Sequence, residues 1–433
     1  MPSESIRPRD RDALIEALRA GVVPRVGAHL IQVGRTREIE TLLGNIDRIA
    51  DGGSAFRLVI GPYGSGKSYF LNLVRTIALE RKLVVAGADL TPDRRLHASG
   101  GQARSLYAEL MRNLATRSTP DGGALPGIVE KFIGSARSEA RTTGASEDQV
   151  LRGKLDQLAE LVNGYDFADV IAAYARGATG HNDNLMRDAV RWLRGEFTTR
   201  TDARGALGVR AIVDDASFYD QLKLIARFVR LAGYGGLLVC LDEMVNLYKL
   251  TNPTARNGNY EQLLRMLNDS LQGSAVGLGF VLAGTPEFLY DPRRGLYSYA
   301  ALQSRLSQNN FAVEGRVDFS GPVVPLSALS AEDFYLLLTK IRHVHAGGDP
   351  TRYALPDEAI TAFMNHCAQR LGESFFRTPR TTITSFINLL AVLDQNSGTA
   401  WQGVLGQVAL EADTGGAADI AVDPDDALTG FTL

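Results

Sequence analysis

The sequence predicts an α/β fold: a parallel sheet flanked by helices, with a helical insertion and a small all-α domain toward the C-terminus. Three observations carry that prediction. Short apolar runs at 56–60, 83–90, 237–241 and 278–285 read as buried strands. They are separated by stretches with helical apolar spacing, the alternation that builds a parallel sheet. The first run leads directly into a glycine-rich turn and then a helix, and from Ser330 onward every apolar pattern has helical spacing.

The glycine-rich turn is Gly61-Pro62-Tyr63-Gly64-Ser65-Gly66-Lys67-Ser68. It fits G-x-x-x-x-G-K-[ST] at every fixed position, with the strand and helix that the pattern requires on either side. Glycines let backbone N–H groups turn inward around phosphate oxygens, and the helix start adds a partial positive charge. Expected nucleotide contacts therefore run from Gly61 through Pro62, Tyr63, Gly64, Ser65, Gly66, Lys67 and Ser68 to Tyr69. Lys67 is expected on the β- and γ-phosphates of ATP, and the Ser68 hydroxyl on Mg2+. A chance glycine-rich turn is the competing reading; the flanking elements argue against it.

At 433 residues, with 45% hydrophobic and 22% charged side chains, the chain is long enough for two or three ordinary globular domains. No apolar run approaches the roughly 20 residues of a membrane helix, and the first residues, MPSESIRPRDRD, lack the apolar core of a signal peptide. Cys240 and Cys367 both lie in apolar patterns and read as buried thiols. A cytoplasmic protein without membrane contact is expected. Seven acids, Asp394, Glu411, Asp413, Asp419, Asp423, Asp425 and Asp426, follow Arg380 with no lysine or arginine among them. The formal charge of −3 thus leaves +4 on residues 1–380, which neither excludes nucleic acid nor argues for it.

Residues 11–20 read as a short helix stopped by Gly21. In the following Gly21-Val22-Val23-Pro24-Arg25 turn, just upstream of the phosphate loop, Val23 and Pro24 are placed to cover an adenine ring. Thr36 reads as a cap for a helix over 37–50 with an Ile39, Leu42, Leu43, Ile46 stripe. A helix over 105–114 and a loop over 118–128 follow. Residues 129–195 read as helical pieces broken near Gly144, Gly164 and Gly180, so 118–215 is taken as an inserted helical module. Its Arg187, Arg191, Arg194, Arg200 and Arg204 have two readings, a solvated helix face or non-specific contact with DNA phosphates.

After a helix over 216–231, the run Leu237-Leu238-Val239-Cys240-Leu241 ends in Asp242-Glu243. In a phosphate-loop enzyme such a strand sets its first acid near Mg2+ and its second beside the attacking water, so Asp242 would organise the metal and Glu243 act as general base. A helix over 260–272 precedes the strand that ends at Thr285, whose hydroxyl could meet the γ-phosphate or simply close the strand. Ser330 and Asp333 outline a capping box for 331–345, Pro356 opens the next helix and Gly372 closes it, and Thr378-Pro379-Arg380 starts a third over 379–394. The expected division is a phosphate-loop domain over 1–325, an α-helical lid over 326–397 and an acidic, flexible tail over 398–433.

Taken in order, these pieces resemble the AAA+ ATPases, in the branch with origin-recognition and Cdc6-like members, over about residues 20–395 apart from the insertion. The resemblance implies a sensor 1 role for Thr285, an arginine finger at Arg305 within Ser304-Arg305-Leu306, and a sensor 2 role for Arg380. A finger acting in a neighbouring subunit implies a homo-oligomer. The wording is closer still to the ATP-binding proteins of bacterial BREX phage-defence systems: Val-Gly-Arg-Thr-Arg-Glu-Ile (33–39), Phe-Val-Arg-Leu-Ala-Gly-Tyr (228–234) and Gly-Gly-Leu-Leu-Val-Cys-Leu-Asp-Glu-Met-Val-Asn-Leu-Tyr (235–248) are similar to that family, in its BrxD-like form. It implies an ATPase, converting ATP to ADP, beside methylase and helicase partners; composition and spacing do not show that role. No DNA-reading wing follows the lid. Two other functions fit the same motifs: a nucleotide-dependent switch or scaffold with slow hydrolysis, and a transposition- or loader-type ATPase regulator.

Overall fold

The computed structural model describes residues 6–309, 318–326, 328–371, 379–396 and 398–406. Strands β1 (Ala55–Ile60), β2 (Val84–Asp89), β3 (Leu237–Asp242), β4 (Leu278–Gly284) and β5 (Val323–Pro325) form one sheet in the order β2-β3-β4-β1-β5. All run parallel, which is the expected α/β architecture. β1 and β4 are buried along their whole length, which is why they read as apolar runs, broken in β1 by Arg57 alone, rather than as alternating ones. β2 and β3 are aligned so that Asp89 stands opposite Asp242. Gly279 of β4 admits the helix Thr36–Ala50, since a methyl group there would stand 2.1 Å from Ile49 Cδ1.

Of the described residues, those within 6–39, 59–74 and 325–406 form one compact unit, and those within 40–58 and 75–324 the other. The first is helical around a core of Leu14, Ile31, Phe334, Ile341, Phe363, Phe386 and Leu390. Its helices are Pro8–Arg19, Ala331–His345, Asp357–Leu371, Pro379–Gln395 and Trp401–Leu405. The Ser330/Asp333 capping box is formed, with Asp333 N donating to Ser330 Oγ at 3.0 Å. Buried Arg342 ties two of these helices together, donating to Asp357 at 2.5 Å and to the Leu355 carbonyl at 2.8 Å. Gly372, Thr378 and the acidic stretch from 407 lie outside the described residues.

In the second unit, the helices Leu125–Thr143, Glu147–Leu155, Gly164–Thr179, Asp183–Leu193 and Arg200–Leu207 lie in sequence between β2 and β3. Their breaks match the glycines. Gly144 ends its helix at φ 71°, and a methyl group on Gly164 would collide with the Leu158 carbonyl. Phe132 and Phe167 pack edge-on against Phe228, and Phe167 against Trp192.

Three helix boundaries and one strand stand out as different from the sequence reading. The helix expected over 105–114 runs Gln102–Arg112, because Ala115 is drawn into an antiparallel bridge with Val85. The loop expected to last to 128 yields to helix at Leu125, with Pro126 in its first turn. The helix expected from 260 starts at Pro253, where the Asn252 side chain caps the Thr254 and Ala255 amides. β5 went unread: it is three residues long and ends in proline.

Candidate nucleotide site

The phosphate loop follows β1 and passes into the helix Lys67–Glu80. Gly64 and Gly66 take φ 74° and 84°, conformations that side chains resist. Gly61 has no room for a methyl group, which would stand 2.5 Å from Ser65 Oγ. Ser65 itself is buried and its hydroxyl has no hydrogen-bond partner. Lys67 Nζ curls back over the loop, donating to the Gly61 and Pro62 carbonyls at 3.0 and 2.9 Å. A phosphate held here would exchange those carbonyls for its own oxygens. Ser68 and Tyr63 are exposed. Such a cradle, with glycines where a side chain would intrude and a lysine folded over it, fits a nucleotide phosphate.

A strap formed by residues 24–35 lies along this loop and its helix. Asn72 Nδ2 donates to the Pro24 carbonyl at 2.8 Å, and Tyr69 Oη to the Ala28 carbonyl at 2.5 Å. Arg35 Nη2 donates to the Ser65 carbonyl at 2.6 Å. Of the two residues expected at the adenine, Val23 is exposed and Pro24 buried; Val22 is exposed beside them. Tyr69, expected among the nucleotide contacts, spends its hydroxyl on the strap. Burial raises its pKa well above that of a free phenol. Arg380, in the first turn of Pro379–Gln395, brings its guanidinium onto Gly21, just ahead of Val22.

In the other unit, Asp242 closes β3, and its Oδ1 accepts the Glu243 N–H at 2.8 Å. Glu243 is exposed and held at φ 57°, a conformation that a non-glycine residue rarely adopts. The turn is pinned on both sides: Met244 N donates to the Ala283 carbonyl at 3.1 Å, and Asn246 Nδ2 to the Leu90 carbonyl at 2.8 Å. Asp89, opposite Asp242, has its carboxyl pushed above the usual range by desolvation and then by the Asp242 charge. Thr285 caps the helix Pro286–Tyr290, its hydroxyl accepting the Phe288 N–H at 3.5 Å. Arg305 is exposed at the end of Ala300–Leu306, donating to Asn268 Oδ1 at 2.6 Å and to the Ala301 carbonyl at 2.9 Å.

Among the arginines of the insertion, Arg191 pairs with Asp188 at 3.1 Å and covers the Phe197 ring, and Arg200 lies 3.7 Å from Asp214. The sequence reading passed over Arg35, Asp89 and Asn246. All three stood in stretches already singled out, Arg35 in 33–39, Asp89 in 83–90 and Asn246 in 235–248, but none was given a role; the partner of Arg35, Ser65, lies thirty residues on.

Both cysteines are buried and free, and burial raises each thiol to about 12. Among the described residues there is no group of three or more His, Cys, Asp or Glu able to hold a metal ion. A nucleotide-borne Mg2+ does not need one, because it takes most of its ligands from phosphates and water. No helix of the described residues is long and apolar enough to cross a membrane. The family model described as BREX system ATP-binding protein BrxC/D matches residues 6–409. No curated protein matches the chain.

Proposed function

Since the chain belongs to the BREX system ATP-binding protein family BrxC/D, an ATP-binding component of a phage-defence system, we propose that it is an ATPase whose phosphate loop is residues 61–68. The observation that carries this reading is the loop itself: Gly64 and Gly66 in left-handed conformations, Gly61 beneath Ser65, and Lys67 folded over the turn. In this reading Lys67 holds the phosphates, while Ser68 and Asp242 ligate Mg2+. The metal supplies charge neutralisation at the β- and γ-oxygens. Glu243 accepts a proton from the attacking water. Val23 and Pro24 cover the adenine, and Arg380 answers to the bound nucleotide. Thr285 serves as sensor 1.

We place the protein among AAA+ ATPases that assemble as homo-oligomers, Arg305 reaching the nucleotide of a neighbouring copy, and that act on DNA-associated defence partners of helicase or methylase type. A domain of 1–325, an α-helical lid of 326–397 and a tail of 398–433 go with that reading, and the arginines of the insertion offer non-specific DNA contact. Steady-state ATP hydrolysis, measured with and without DNA for the parent, Lys67→Ala and Glu243→Gln proteins, tests it. Turnover that survives both substitutions rules it out.

A second reading, a nucleotide-dependent switch with slow hydrolysis, is favoured by the commitments of two side chains. Thr285 is engaged in capping a helix and Arg305 in bonding Asn268. In that case ATP binds tightly, and turnover stays low even when the protein is concentrated.

A further inference from the structure

We propose that Arg35 is a positioning residue for the phosphate loop, aiming the Gly66 N–H at a bound phosphate by holding the Ser65 carbonyl; this rests on reading residues 61–68 as the nucleotide site. In a trans peptide the carbonyl and the following N–H point in opposite directions. Arg35 Nη2 takes the Ser65 oxygen at 2.6 Å, so the Gly66 N–H faces away from Arg35. The guanidinium also lies beside Gly66: a methyl group there would meet Nη1 at 3.5 Å and Nη2 at 3.8 Å. That hydrogen bond comes from a charged donor, the strong kind.

The local backbone is built for this contact. Gly34 and Arg35 are consecutive left-handed residues, both at φ 59°. Arginine is a poor choice for that conformation on local grounds, and such strain gathers where a side chain has a task. The charge is under-compensated as well. No carboxylate lies within ion-pair distance of Arg35 among the described residues, and its Nε is buried without a partner. Desolvation lowers its pKa to about 10, against the opposing influence of Glu38, Tyr69 and Asp333. An anion beside the loop gains from such a charge.

The same turn is gripped from the helix Ala331–His345. The Asp333 carboxylate packs on Gly34, and Lys340 donates to the Gln32 carbonyl. The Gly34-Arg35 turn thus joins the loop, through Arg35, to the first turn of that helix, through Gly34.

The test is calorimetric titration of adenosine, ADP and a non-hydrolysable ATP analogue, with Mg2+, into parent, Arg35→Ala, Arg35→Lys and Lys67→Ala proteins. Arg35→Ala should weaken ADP and the analogue by about 10- to 100-fold, the effect of losing a hydrogen bond from a charged group, and leave adenosine unchanged. Arg35→Lys, which keeps charge but not the planar fork, should recover part of the loss. An equal loss for adenosine and nucleotides marks a merely structural role and overturns the proposal. So does no loss for any of the three. Should Arg35→Ala fail to fold, Arg35→Lys decides alone: weakened ADP with unchanged adenosine supports the proposal, and any other pattern overturns it. Lys67→Ala separates the two levels. Full affinity in that protein removes the loop as the phosphate site, and this inference falls with it; lost affinity there, with intact affinity in the Arg35 variants, removes this inference alone.

Discussion

The Arg380 guanidinium rests on the α-carbon of Gly21: a methyl group at Gly21 would stand 2.8 Å from Nε and 3.4 Å from Nη2. Gly21 is also left-handed, at φ 65°. Gly21→Ala should therefore destabilise the protein by about 1–2 kcal/mol, part backbone strain and part displacement of the arginine. The second part should vanish in an Arg380→Ala background, so a double-mutant cycle read by denaturant unfolding should be non-additive. Arg380→Ala alone should weaken ATP by about tenfold if the arginine answers to a phosphate. Unchanged affinity and turnover would make it a surface residue.

Lys67→Ala should remove measurable nucleotide binding. The lysine supplies a charge that the backbone amides of the loop cannot replace. Calorimetry with an ATP analogue checks it.

Glu243 carries two opposed expectations. Glu243→Gln should keep ATP binding and lose turnover by about 100-fold or more, because the amide cannot take a proton from water. Glu243→Gly should lose turnover too, yet leave stability unchanged or raise it by up to about 1 kcal/mol, since glycine suits the left-handed backbone there. Most substitutions cost about 1 kcal/mol instead. Thermal melts alongside hydrolysis rates separate the two effects.

Asn259 is fully buried in the helix Pro253–Leu271. Its Oδ1 accepts the Leu96 and His97 amides, both at 2.9 Å, and its Nδ2 donates to the His97 and Ala255 carbonyls. Asn259→Leu strands the two amides and should cost roughly 2–4 kcal/mol. The shift in the midpoint of denaturant unfolding reads it.

Arg305→Ala should lower turnover by about 100-fold or more if the arginine reaches a neighbour's nucleotide. Mixing it with Lys67→Ala protein should restore part of the rate, and parent turnover per chain should rise with protein concentration. A strictly monomeric, fully active parent would exclude that role.

What the sequence made legible was whatever is encoded locally. β1 and its loop are adjacent in the chain, and so are β3 and its two acids; apolar runs and glycine spacing suffice for both. β5 escaped because three residues, Val323, Val324 and Pro325, carry no period. Its flanks are held by β1, through Leu58 N to the Pro322 carbonyl and Leu326 N to the Ile60 carbonyl. The first turns of Pro253–Leu271 escaped because Asn257, Gly258 and Asn259 are weak helix formers. What holds them in helix is the Asn252 cap and the grip of Asn259 on a loop some 160 positions earlier. Arg35 sat in a recognised stretch of sequence, but nothing local foretells its left-handed backbone or its reach to Ser65.

The unit that holds the phosphate loop is stitched together from three separated stretches, 6–39, 59–74 and 325–406. On a ribosome adding roughly 5–20 residues per second, the loop emerges tens of seconds before Phe334, Phe363 and Phe386, which complete the core of its unit. Until then Leu14 and Leu18 have no partners from the C-terminal helices to pack against. A nascent chain is thus barred from finishing the unit that holds this loop before its last quarter is made. A premature stop within that last quarter should therefore disable a loop encoded near the start of the gene, by leaving its surroundings unbuilt.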